Sequence, residues 1–205
     1  MADGPTLSLF LASTSKTRRE LLMAAGIDYQ SIAPQVDEDV IRQTLTADET
    51  DVEPGDIAEV LARAKAEDVS ARFPGTLVIG ADQVLACQDE IFTKADTMDE
   101  ARDALLKLRG RTHQLHSAVV LAQDGETVWA MVDTAHLTMR DFSMKALGSY
   151  MAHAGDEVLD SVGCYKLEGP AIQLFERIEG DYFTILGLPM LPLIAELRSR
   201  GQVIA

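Results

Sequence analysis

An aspartate inside the most apolar run of a chain needs an explanation. Asp82 lies within Leu77-Val78-Ile79-Gly80-Ala81-Asp82-Gln83-Val84-Leu85-Ala86. An ionised carboxylate there is costly enough that such groups are paired, metal-bound or functional. Gly80 and Ala81 beside it leave room for a ligand. The plain alternative is a turn aspartate within a run misread as one strand. Lys65 is a second charge in apolar company, on the stripe Ile57, Leu61, Lys65, Val69, which helical spacing turns toward a buried face. Either its ammonium reaches a phosphate or Asp82, or its stem packs while its head stays in water. The segment Ser13-Thr14-Ser15-Lys16-Thr17-Arg18-Arg19 adds hydroxyls, three cations and the unpaired amides of a helix start, a set that can hold a phosphate chain. Ordinary N-capping with solvated cations accounts for the same residues, and no glycine-rich phosphate loop is present to decide between the two.

Other signals are weaker. Asp37, Glu38 and Asp39 offer the hard oxygens a magnesium ion escorting a polyphosphate would accept, or they are a solvated cap. Lys94, after Ile91-Phe92, is a lone cation. Glu168, in the turn Leu167-Glu168-Gly169-Pro170, has a carboxylate able to accept hydrogen bonds from a base edge, or is a turn residue only. His113 and His116 stand three apart in a predicted strand, which sends them to opposite faces and makes both structural rather than a shared metal site.

The elements that must position these residues begin with a β-α-β arrangement. Leu7 to Ala12 predicts a buried strand, Lys16 to Ala25 a helix closed by Gly26, and Ile27 to Ala33 a strand stopped by Pro34. A polar stretch from Asp37 to Gly55 leads to a helix from about Asp56 to Arg72, ended by Pro74-Gly75. Asp96 or Thr97 caps a helix to Leu108, with Gly110 at its end. Thr112 to Ala122 and Thr127 to Met139 flank Asp124-Gly125, an antiparallel hairpin signal. Phe142-Ser143 opens a helix to about His153. A glycine-punctuated region follows, and Leu188 to Arg200 closes the chain as an apolar helix begun near Pro189 and Pro192. This order predicts an α/β fold, a mixed sheet with helices on its faces, as a single domain over residues 1–205 in two intimately joined lobes.

Composition narrows the partners. The chain's 18 Lys and Arg against 33 Asp and Glu give a net charge of −15 over 205 residues, a field that repels nucleic-acid polymers and anionic membranes. An anionic substrate therefore needs a local cationic pocket. Two cysteines, Cys87 and Cys164, exclude a disulfide scaffold and a structural zinc site and suit small core thiols. Met1-Ala2-Asp3-Gly4-Pro5 lacks the basic start of a signal peptide, and no apolar run reaches the ~20 residues of a membrane span. The expected setting is the cytoplasm.

Taken in order, several motifs resemble the Maf family of nucleotide pyrophosphatases over roughly residues 7–200. In the first half they are Leu11-Ala12-Ser13-Thr14-Ser15 with Arg18-Arg19-Glu20-Leu21-Leu22, then Val36-Asp37-Glu38, Ala64-Lys65-Ala66, Ile79-Gly80-Ala81-Asp82-Gln83-Val84 and Gly110-Arg111-Thr112-His113. Ser161-Val162-Gly163-Cys164-Tyr165, Glu168-Gly169, Leu174 to Gly180 and Leu186-Gly187-Leu188-Pro189 continue the match. The resemblance implies an elongated curved mixed sheet flanked by helices, with two lobes around a cleft, and a homodimer. It also implies metal-dependent hydrolysis of a nucleoside triphosphate to the monophosphate and pyrophosphate. In that scheme Asp82 activates water and shares a divalent metal, Mg or Mn, with Glu38. Lys65 joins them in the catalytic set, and Ser13, Arg18, Lys65 and Lys94 hold the phosphates.

Base specificity falls to Thr17, Gln83 and Glu168. The dTTP and UTP branch carries Pro-Arg, Thr and Gln where this chain has Lys16-Thr17, Gln83 and Glu168. Gln83 and Glu168 resemble the branch associated with 7-methyl-GTP, yet that branch has a tryptophan at the place of Thr17, the natural stacking partner for a cationic base. The usual Lys-Pro is Lys94-Ala95 here. Alternatives to a general pyrophosphatase are an enzyme specific for 7-methyl-GTP and a nucleotide-binding regulator of cell division with little turnover.

Overall fold

A computed structural model describes residues 8–46 and 52–204. Leu7, the segment Met1 to Pro5 and residues 47–51 of the polar stretch lie outside the described residues. The elements run β1 (Ser8–Ala12), α1 (Lys16–Ala24), β2 (Gln30–Ile32), α2 (Glu38–Thr46), α3 (Pro54–Arg72), β3 (Thr76–Cys87), β4 (Glu90–Phe92) and α4 (Met98–Leu108). They continue with β5 (Thr112–Gln123), β6 (Glu126–Met139), α5 (Met144–Ala154), β7 (Phe175–Glu179), α6 (Tyr182–Ile185) and α7 (Met190–Ser199), with short 3₁₀ turns at Gly155–Asp160 and Pro170–Leu174. The mixed sheet is open, in the order β2-β1-β3-β5-β6-β7, with β4 paired to β3. β1 runs parallel to β2 and to β3, while β4 and β7 run antiparallel to β3 and β6. Asp124 and Gly125 both take positive φ, 52° and 85°, as the tight hairpin between β5 and β6 requires.

The chain divides into two units. The first holds the residues up to Gln83, Ser117–Asp133 and those from Tyr182 on, and the second holds Val84–His116 and Thr134–Asp181. In the first unit, Leu9, Leu11, Leu77 and Ile79 of β1 and β3 share an apolar core with Leu22 of α1 and Leu193 of α7. Phe10, which alternates to the other side, packs on Phe73 with ring centroids 5.1 Å apart. Burial on both faces is why these strands read as unbroken apolar runs. The buried side of α3 combines Ile57, Leu61 and Val69 with the small residues Ala58, Ala62 and Ala66.

The second unit is organised around His113, Tyr165 and Phe175. His113 Nε2 lies 2.7 Å from the Tyr165 hydroxyl, and the Tyr165 and Phe175 rings meet edge-on at 4.9 Å. His113 Nδ1 is buried with no hydrogen-bond partner. Both histidines serve the structure, as expected, since His116 pairs with Gln114 and Thr134. Cys87 and Cys164 are free and buried, and burial pushes both thiols up, Cys164 to about 11.

Several expectations need correction. The strand expected over Ile27 to Ala33 is only Gln30–Ile32, because β2 pairs along just three positions of β1. The polar stretch contains a helix, α2, whose start is capped by Asp37: its Oδ1 accepts the Val40 N–H at 3.1 Å. The next helix begins at Pro54, a residue whose fixed φ suits a first helical position. The strands β4 and β7 and the short α6 were not anticipated, and the closing helix is Met190–Ser199. Among the described residues no helix is long and apolar enough to cross a membrane.

Burial lowers the His113 pKa to about 4 from an ordinary 6.5. A depressed folded-state value means that the stability conferred by neutral His113 is whole above pH 6.5 and is lost as pH falls toward 4. His113→Gln keeps a polar partner for Tyr165 and removes the titration. Urea denaturation from pH 7 to 4 should show the wild type losing up to about 3 kcal/mol relative to this variant; parallel pH profiles would refute the assignment.

Candidate active site

Because β1 lies between β2 and β3 with all three parallel, the strand order reverses at β1. Open α/β sheets bind ligands just beyond the carboxyl ends of strands at such a reversal. Ala12, the last residue of β1, pairs with Gly80 of β3, so the loop Ser13-Thr14-Ser15 and the residues just after Gly80 are neighbours.

The loop is tied down by its own hydroxyls. Buried Ser13 accepts the Ser15 N–H on Oγ at 3.1 Å, and its carbonyl accepts the Ser31 hydroxyl at 2.8 Å. Ser15 caps α1 by accepting the Arg18 N–H at 3.4 Å. The first turn of α1 holds no acid, which leaves its partial positive charge for an anion. Thr17 sits half-buried in that turn. Arg18 is clamped to the main chain, Nε donating to Gly187 O at 2.8 Å and Nη1 to Ala81 O at 2.9 Å. Gly187 has φ +86°, a backbone state that favours glycine. Burial pushes the Arg18 pKa down, against the opposing pull of Asp82 and Glu38.

Side chains two apart on a strand share a face, so Asp82 points the way Gly80 does. A Cβ at Gly80 would stand 2.3 Å from Ala62 O and 2.7 Å from Ala66 Cβ, showing that β3 and α3 touch backbone to backbone. Lys65, in that same turn of α3, is thereby delivered to Asp82. Its ammonium donates to Asp82 Oδ1 at 2.6 Å and reaches Glu38 Oε2 at 2.9 Å. The two side chains are only 7% and 6% exposed. The ammonium is therefore buried and paired, and the snorkelling alternative does not apply. Arg42, one turn after Glu38 on α2, completes the cluster, with Nη2 at 3.2 Å from Asp82 Oδ2 and 3.8 Å from Glu38 Oε2. Sequence reading missed it. Its only signal was the four-residue spacing from Glu38, which has meaning once the stretch is known to be helical.

The first unit thus gathers Ser13, Arg18, Glu38, Lys65 and Asp82 around the end of β1 and the middle of β3. Gln83 faces away from Asp82. Its amide nitrogen donates toward Ser117 Oγ at 2.9 Å and toward the carbonyls of Thr184 and Ile185 at 3.0 Å each. Lys94 and Glu168 belong to the second unit. Lys94 is exposed between β4 and α4. Exposed Glu168 lines a pocket of about 310 Å³ with Tyr150, His153, Glu157 and Lys166, and Lys166 is held by Asp160 at 2.7 Å and Glu157 at 3.3 Å.

Glu38 and Asp82 turn two hard oxygens toward a single cation, the Lys65 ammonium. Among the described residues no three His, Cys, Asp or Glu side chains cluster as a metal cage. Two carboxylates fit magnesium, which keeps waters and takes its remaining ligands from substrate phosphates.

The family described as "Maf-like protein" matches residues 8–200. A protein of Brucella abortus biovar 1 named 7-methyl-GTP pyrophosphatase is 52% identical over 193 residues, covering 94% of this chain and 96% of that one. Proteins named nucleoside triphosphate pyrophosphatase from Caulobacter vibrioides and Granulibacter bethesdensis are 50% and 49% identical, each with the same coverage of both chains.

Removing one member of a buried ion pair strands the other. Lys65→Met should cost about 3 kcal/mol in a denaturant titration, and Lys65→Met with Asp82→Asn should cost less than the two single changes summed. Additive costs would mean that the two groups are not coupled.

Proposed function

The chain belongs to the Maf family, and from that we propose that it hydrolyses nucleoside triphosphates at the α–β phosphoanhydride, releasing the monophosphate and pyrophosphate. The observation that carries this reading is the convergence of Glu38 and Asp82 on Lys65 beside the capped start of α1. Asp82 accepts a proton from water as the water oxygen bonds to the α-phosphorus. The bond from that phosphorus to the bridging oxygen breaks, and pyrophosphate departs with the electron pair. Lys65 holds Asp82 in place, while Ser13, Arg18 and the amides of α1 bind and orient phosphate oxygens. A divalent cation, Mg or Mn, held by Glu38 and Asp82 would neutralise charge on the polyphosphate.

Lys94 as a phosphate contact and Glu168 as the reader of the base rest on the motif resemblance. Glu168 would accept hydrogen bonds from the N1 and N2 donors of guanine, while Thr17 supplies no aromatic face for a methylated base. The proposed setting is the cytoplasm, with the enzyme as a homodimer.

Pyrophosphate release from 7-methyl-GTP, GTP, dTTP, UTP and CTP, with and without Mg²⁺ or Mn²⁺, tests the reading. Metal-dependent turnover is expected; tight binding without turnover would instead favour a nucleotide-binding regulator. Asp82→Asn should lower turnover about 10²- to 10⁴-fold with nucleotide binding largely kept, and wild-type rates would remove the role given to Asp82. Glu168→Gln should reorder the nucleotides, and an unchanged ranking would free Glu168 of that part.

A further inference from the structure

Each oxygen of Asp82 already carries a cation, Lys65 on Oδ1 and Arg42 on Oδ2. The two cations are not held alike. Lys65 is 7% exposed and sits at 2.6 and 2.9 Å from two carboxylates, whereas Arg42 is 22% exposed and its contacts with the same carboxylates are 3.2 and 3.8 Å. Of the two, Arg42 is held by these carboxylates at the longer range and is the more exposed.

The formal charges of Glu38, Asp82, Lys65 and Arg42 cancel, and Arg18, coupled to both carboxylates, adds one more positive charge. A bare divalent cation approaching the carboxylates meets no net attraction and is repelled by the guanidinium on Oδ2. A bare polyphosphate finds that guanidinium engaged. When the two arrive together, an exchange of partners gives each incoming charge an opposite one, with the metal on the carboxylates and the guanidinium on phosphate oxygens, for which its fork of donors is suited.

We propose that Arg42 is a further substrate-binding residue, which rests on Asp82 and Glu38 in the free enzyme and moves to the polyphosphate when a metal–nucleotide complex enters. It makes binding of metal and nucleotide mutually dependent. This rests on the reading of Glu38 and Asp82 as metal ligands.

The test titrates Mn²⁺ alone into nucleotide-free protein, following free Mn²⁺ by electron paramagnetic resonance, and measures KM for the best triphosphate. Arg42→Gln should bind Mn²⁺ about tenfold more tightly and show a KM about tenfold higher, changes of opposite sign each worth about 1.4 kcal/mol. Arg42→Lys, which keeps the charge without the fork, should leave Mn²⁺ binding near wild type and raise KM less. If Arg42 only supported α2, which also carries Glu38, its loss would weaken both together. Unchanged or weaker Mn²⁺ binding in Arg42→Gln, or an unchanged KM, overturns the proposal. Adding Glu38→Gln to Arg42→Gln examines the underlying reading separately. Loss of the gained Mn²⁺ affinity supports Glu38 as a ligand, and its retention overturns that assignment whatever Arg42 does.

Discussion

Two opposite charges meet at 2.6 Å between a helix and a strand, and the first unit is arranged around the conditions that lets them do so. Taking an ammonium and a carboxylate out of water is expensive, and the return is large only when geometry is close and remaining donors are used. Closeness comes from Gly80 and the alanines of α3, which bring main chain against main chain. Glu38 accepts from the same ammonium, and Arg42 donates to the second oxygen of the carboxylate. Such a pair adds little net stability compared with apolar residues of the same volume. Its retention here fits a chemical use.

That use was partly legible in the residues. Asp82 and Lys65 stood out because each breaks a local burial pattern, the strand run in one case and the helical stripe in the other, and a broken pattern needs only a few neighbouring letters to be seen. Their mutual contact was named as one option, since nothing in the sequence says which turn of α3 crosses which residue of β3. Arg42 was invisible for a different reason. α2 has an apolar pair four apart, Ile41 and Leu45, but it is a short helix inside an acid-rich polar stretch, and none of its described side chains is fully buried. β4 and β7 are short, and most of their side chains are not buried, so they look like loop. Gln83 was assigned to base specificity by resemblance alone, and alternation along the strand turns it to the face opposite Asp82. Its partners at Thr184 and Ile185 lie about a hundred positions away.

The acidic character of the chain gives this arrangement its setting. With 33 acidic and 18 basic residues, the general field opposes any polyphosphate, so attraction must be local and short-ranged. The capped α1 terminus and Arg18 are local positive charges of that kind, and Arg18 is fixed to two carbonyls rather than extended into solvent. Fixing it there also sets its position relative to β3, whose Ala81 carbonyl is one of those two acceptors.

The seam of small residues between α3 and β3 also works as a spacer. It fixes how far the helix axis stands from the sheet, and the length of the Lys65–Asp82 contact follows from that distance. A methyl group added at Gly80 would have to move the helix outward, since the atoms it meets are backbone and the first carbon of a side chain rather than a flexible tip. Ala62, Ala66 and Gly80 thereby constrain the Lys65–Asp82 pair without being part of it. A variant chosen only for tighter packing at this seam would gain apolar contact while losing the alignment of the Asp82 carboxylate.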